Sequence, residues 1–148
     1  MKRFFVFLVA VLTAAAMLGA FPAIVGADPG VPFKARAELT RTSLQELGGT
    51  LLMTFVGTGN STHLGRFTED ASVIVRGDGS FSATVVLTAA NGDQVFKSAE
   101  GASVSAGTFT VNGGTGRFMN ATGAGVVMHV SSDGFAHVAQ TFEGTIEF

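Results

Sequence analysis

From Phe33 to Leu39 every second residue is apolar, with Lys34, Arg36 and Glu38 between them. A period of two marks a strand with one dry face and one wet face. Thr50–Gly57, Glu69–Arg76, Ser80–Ala89, Gln94–Ser98, Ala106–Val111, Gly123–Ser131 and Phe135–Phe148 also read as strands, many alternating and some continuously apolar. Turn-forming residues separate them. Thr42–Leu47 lacks clear alternation and reads as a short helical turn.

Three turns suggest registers. Gly77–Asp78–Gly79 fits a three-residue loop that pairs Val75 with Phe81 and Val73 with Ala83. Asn91–Gly92 fits a two-residue type I′ turn that pairs Leu87 with Phe96. Ser132–Asp133–Gly134 pairs Val130 with Ala136 and Met128 with Val138, which sets His129 opposite His137. Eight strands at hairpin spacing predict an all-β, eight-stranded antiparallel β-barrel. Closure would also protect the long first and last strands from edge pairing.

The first residues follow a different pattern. Met1–Lys2–Arg3 is basic, Phe4–Leu12 is unbroken apolar sequence, and Val25–Gly26–Ala27 offers small residues for cleavage. This predicts a secretory signal peptide over 1–27 and one barrel domain over 28–148, secreted or periplasmic. No stable membrane span is expected after cleavage.

Composition then narrows the chemistry. Cys is absent, which excludes disulfides, zinc–thiolate sites and thiol catalysis. Beyond Ala27 there are seven basic and eleven acidic residues, so no nucleic-acid partner is expected. Ten of the fourteen Phe lie there and supply most of the large core side chains. Two cross-strand His would lack a third ligand, so no metal and no cofactor is expected. No elbow-type nucleophile motif is present.

One stretch carries a resemblance. Gly113–Gly114–Thr115–Gly116–Arg117–Phe118, followed by Ala121 and Gly123, resembles the glycine-rich signature of dirigent proteins and, more loosely, of allene oxide cyclases. Thr62–His63–Leu64–Gly65–Arg66–Phe67 and Asn91–Gly92–Asp93 resemble small secreted bacterial barrels of the same type. The resemblance implies an eight-stranded barrel with a mostly apolar cavity. It assigns no catalytic residue here, because Thr122–Gly123–Ala124 replaces the Arg-Gly-Tyr-like continuation of dirigent proteins. The glycines also have a structural reading, in which Phe118 seals one end of the core.

Three functions remain open at this point. A barrel can bind a small apolar molecule without chemistry. It can act as a cofactor-free cyclase, isomerase or coupling guide by positioning a reactive molecule. It can also be a self-filled structural protein that associates with copies of itself as a homo-oligomer. A ligand site needs a polar group inside the barrel, and His63, Arg66, Arg117 and Asn120 are the sequence candidates. The two Arg are alternatively structural, paired with Glu69, Asp70 or Glu100.

Overall fold

Each dry row of side chains needs cover, and eight strands joined in sequence obtain it by curling onto themselves. The computed structural model describes residues 30–148, so the signal peptide predicted over 1–27 lies outside the described residues. The strands are β1 Val31–Leu47, β2 Thr50–Ser61, β3 Gly65–Val75, β4 Phe81–Ala89, β5 Gln94–Ser103, β6 Ala106–Gly114, β7 Thr122–Val130 and β8 His137–Glu147. They form a closed antiparallel barrel in sequence order. Val31–Thr40 of β1 pairs with His137–Ile146 of β8, which leaves neither strand an open edge along that length.

β1 runs past the rim. Thr42–Leu47 is strand rather than the expected helical turn. A bulge at Thr42 shifts the register, and Ser43–Leu47 then pairs with Thr50–Thr54 of β2. Six residues cannot sustain a helix nucleus, whereas a neighbouring strand supplies a partner for each backbone group. Gly48 and Gly49, both with positive φ, close this hairpin.

Two expected registers are corrected. Val75–Phe81 and Val73–Ala83 pair as the sequence suggests. At Asn91–Gly92, however, Leu87 pairs with Val95, not Phe96. The loop has three residues, because Ala89 N–H donates to Asp93 O at 2.8 Å and only Gly92 takes positive φ. The slip by one residue turns Phe96 outward and brings Lys97 inside. Between β7 and β8, Met128 pairs with Thr141 and Val130 with Ala139. His129 therefore faces Gln140, and His137 lies across from Thr40 of β1. The longer loop is held by side chains. Asp133 Oδ1 accepts from His137 N–H at 3.0 Å, and Ser131 Oγ accepts from Phe135 N–H at 3.1 Å.

The core fills by pairing large residues with glycine. Phe67 faces Gly59, Phe81 faces Gly101, Phe109 faces Gly125 and Leu39 faces Gly57 across adjacent strands. A Cβ on Gly125 would meet the Phe109 ring at 2.7 Å and collide with Glu143 O. The missing Cβ leaves the slot that the ring occupies.

One end of the barrel is plugged. A single 3-10 turn at Gly116–Phe118 lays Phe118 into the end, fully buried. Leu64 and Ala121 are buried at the same end, and Phe148 meets Phe118 edge-on at 4.9 Å. The opposite end carries the β1–β2 projection and the Ser131–Ala136 loop.

Gly125→Ala is expected to cost about 1–3 kcal/mol by overpacking and to lower Tm by several degrees. The double variant Gly125→Ala/Phe109→Leu should recover only the share due to the ring, because the clash with the Glu143 carbonyl remains. Thermal melting of the single and double variants measures this coupling.

Candidate functional site

Period two also places the interior's polar groups. On β3, Phe67, Glu69 and Ala71 share the inward row; on β5, Val95, Lys97 and Ala99 do. On β8, Val138, Gln140 and Phe142 follow the same rule. Glu69, Lys97 and Gln140 are accordingly 1%, 2% and 5% exposed.

Glu69 and Gln140 stand at the base of a cavity of about 50 Å³ near the unplugged end, and Lys97 lies behind its wall. Its walls are apolar, with Val73, Ala83, Val85 and Ala99 among them. Glu69, Gln140 and Phe142 also line it, and Val104, His129 and Phe135 stand towards the mouth.

Glu69 Oε1 accepts a short hydrogen bond from Gln140 Nε2. Its second oxygen, Oε2, is buried without a partner. Burial raises the Glu69 pKa, against the opposing pull of Lys97 and the Gln140 bond. Lys97 Nζ likewise has no hydrogen-bond partner. It rests over the Phe142 ring, 3.2 Å from the centroid, with Phe109 at 5.4 Å and Phe33 at 5.8 Å. Burial lowers its pKa to about 7, although the Glu69 charge pulls the other way. Both groups are thus driven towards their neutral forms.

His129 is half-buried, and its ring nitrogen Nδ1 bonds Val104 O at 3.0 Å. A carbonyl only accepts, so Nδ1 carries the proton and Nε2 is left as an acceptor. Burial lowers the His129 pKa and favours this neutral ring. Phe81 packs against it edge-on at 5.4 Å.

Phe135 lies at the mouth with φ of 66°, a left-handed conformation that costs a residue with a Cβ about 1–2 kcal/mol. Its loop is tied down from both sides. Arg41 Nη1 donates to Gly134 O at 2.8 Å, and His137 Nδ1 meets Asp133 Oδ2 at 2.6 Å. Hydrogen bonds from His137 hold the Asp133 carboxyl down at about 2, so this contribution is present above the ordinary aspartate range. It is lost only as pH falls through that value.

The four residues expected inside the barrel are elsewhere. His63 is in the β2–β3 connection at the plugged end, with Nε2 2.8 Å from Pro32 O and its ring against Phe148. Arg117 is exposed in the 3-10 turn and lies over the Phe118 ring at 4.6 Å. It donates to His63 O and pairs with Asp93 at 3.7 Å, a different carboxylate from those expected. Asn120 is exposed just beyond that turn, and Arg66 is exposed at the start of β3. His63 and Arg117 are brought together, but as part of the plug.

The glycine-rich stretch has a structural role. Thr115 N–H donates to Gln94 O at 2.9 Å, and Thr115 Oγ1 accepts from Gln94 N–H at 2.9 Å. Gly116 takes positive φ directly beneath the Asp93 carboxylate. His129 and His137 do not face each other. Among the described residues no three His, Asp or Glu side chains group to hold a metal.

A scan against protein-family models, a search of curated proteins and a search of solved structures each find no match to this chain. The site is therefore read from its geometry.

Between pH about 7 and the ordinary lysine value of 10.5, folded Lys97 binds fewer protons than unfolded Lys97. Stability from this group therefore rises with pH across that interval. Wild-type Tm is expected to rise relative to Lys97→Met as pH goes from 7 to about 10, measured by paired melting curves. Parallel curves for the two proteins would mean that the amine is not desolvated.

Proposed function

We propose that this barrel is a secreted or periplasmic binder of a small, mainly apolar molecule carrying one hydrogen-bonding group. The apolar body sits against Val73, Ala83, Val85 and Ala99, and the polar group meets Glu69 Oε2. The observation that carries this reading is the unpartnered oxygen of Glu69, a residue that lines a mainly apolar cavity. A buried acceptor without a partner costs about 1–3 kcal/mol, more when charged, and a ligand donor removes that cost.

The present volume of about 50 Å³ suits a guest of only a few heavy atoms. An apolar cavity that admits benzene measures about 150 Å³. A larger guest needs Phe135 to leave the mouth, and its strained backbone lowers the cost of that movement. The resemblance to dirigent proteins and allene oxide cyclases supports an apolar cavity, but its signature residues build the plug and name no ligand.

A second reading is a self-filled structural barrel. Phe33, Phe109, Phe118 and Phe142, all fully buried, favour it because they occupy the interior towards the plug. The two readings separate on binding.

Phenol is expected to bind about tenfold more tightly than toluene, equivalent to about 1.4 kcal/mol for its added hydrogen bond. Phe135→Ala should strengthen both. Calorimetry, with methyl NMR shifts at Val85 and Val73 as the positional readout, tests this. Absence of binding by wild type and by Phe135→Ala would overturn the binder reading and leave the filled barrel.

A further inference from the structure

Lys97 is an odd residue for its position. Its register partners on β4 and β6 are Val85 and Val111, and an apolar side chain would fill the same space. Lys34, the other lysine among the described residues, is exposed. The Lys97 amine is buried without a hydrogen-bond partner. Glu69 does not satisfy it, since Oε1 is engaged by Gln140 and Oε2 is unpartnered. Each group thus keeps an unused valence. Nζ rests on Phe142, which also lines the cavity, so one layer of side chains separates amine and guest. The lysine stem has enough rotatable bonds to cross that layer.

We propose that Lys97 captures a small apolar aldehyde as a Schiff base, with Glu69 as the proton donor for dehydration. The inference rests on the cavity's accepting a guest, as proposed above. The Nζ lone pair attacks the carbonyl carbon and forms the N–C bond. The C=O π electrons move to oxygen, which takes up an amine proton and gives a neutral carbinolamine. The Glu69 carboxylic acid then protonates the hydroxyl group. The C–O bond breaks, water leaves towards the mouth, and the nitrogen lone pair forms C=N. The products are a protonated imine and the Glu69 carboxylate, so total charge is unchanged and no redox partner is needed.

Burial pushes both groups towards their reactive forms, Lys97 towards the neutral amine and Glu69 towards the acid. The product is an ion pair in an apolar interior, and Glu69 Oε2 becomes the counter-charge to the imine. Titratable groups near the site are few. His129 is neutral at the mouth, while Asp70 lies beside Glu69 on the outward face of β3.

The test uses butanal with cyanoborohydride at pH about 7, followed by intact mass and peptide mapping. One N-butyl group on Lys97 is expected, formed roughly tenfold faster than any on Lys34. Lys97→Met should lose that adduct while retaining a cooperative melt. Glu69→Gln should slow adduct formation by about 10²-fold while remaining folded. Modification confined to Lys34 and the terminal amine would overturn the proposal, as would equal rates in wild type and Glu69→Gln. Phenol binding in the same preparation separates the two failures. Phenol bound without a Lys97 adduct removes the covalent step alone, and absence of both removes the guest reading as well.

Discussion

Large inward side chains can coexist in this narrow barrel because many face glycine across the sheet. Phe67–Gly59, Phe81–Gly101, Phe109–Gly125 and Leu39–Gly57 are register partners, and Phe33 has Gly144 in the same relation. An added Cβ at Gly59, Gly101 or Gly125 would run into the paired ring. Register, packing and closure are therefore one constraint. A strand that slipped by one residue would turn its large side chains to water and bring its polar row inside.

That constraint divides the interior. Towards the plug, Phe33, Phe109, Phe118 and Phe142 fill the space, and Phe118 is locked in by Thr115, Gly116 and Arg117. Towards the mouth Ala71, Val73, Ala83, Val85 and Ala99 leave room between Met53, Phe55 and Phe81, and a cavity opens. The polar groups lie at the boundary between these halves. Lys97 contacts the aromatic side, and Glu69 and Gln140 border the open side. Rigid packing beneath the cavity limits how far these groups can relax, which keeps their hydrogen-bonding capacity unspent.

The barrel was legible from alternation and turns because both are local. Val75–Phe81 is correctly paired because Gly77–Asp78–Gly79 matches one loop geometry and the hydrophobic pattern agrees with it. Asn91–Gly92 misleads because tertiary contacts decide that turn. Asp93 is held by Asn91 and Arg117, and a three-residue loop results. That single slip hides Lys97 from a sequence reading by assigning it to the wet face. Glu69 was hidden differently. Beginning its strand at Glu69 cut off Phe67, whose spacing of two marks the row as inward. Gln140 sits between Val138 and Phe142 and was visible in the pattern. His63, Arg66, Arg117 and Asn120 stand out by residue type and nearby motifs rather than by strand parity, and parity decides what lies inside a barrel.

A buried lysine and glutamate add little to stability, because desolvation offsets most of their attraction and apolar residues of similar size often serve better. The offset is worse when the pair leaves hydrogen-bonding groups unused. Here an amine rests on a benzene ring and a carboxyl oxygen is left without a partner. Stability alone therefore gives no physical reason for these two side chains. The chemistry proposed above would supply one, because burial drives the amine and the carboxyl group towards their neutral forms beside a small cavity. The aromatic plug closes one end, and the strained Phe135 stands at the other. The unpartnered polar groups thus belong to the interior, while the glycine-rich stretch belongs to the plug.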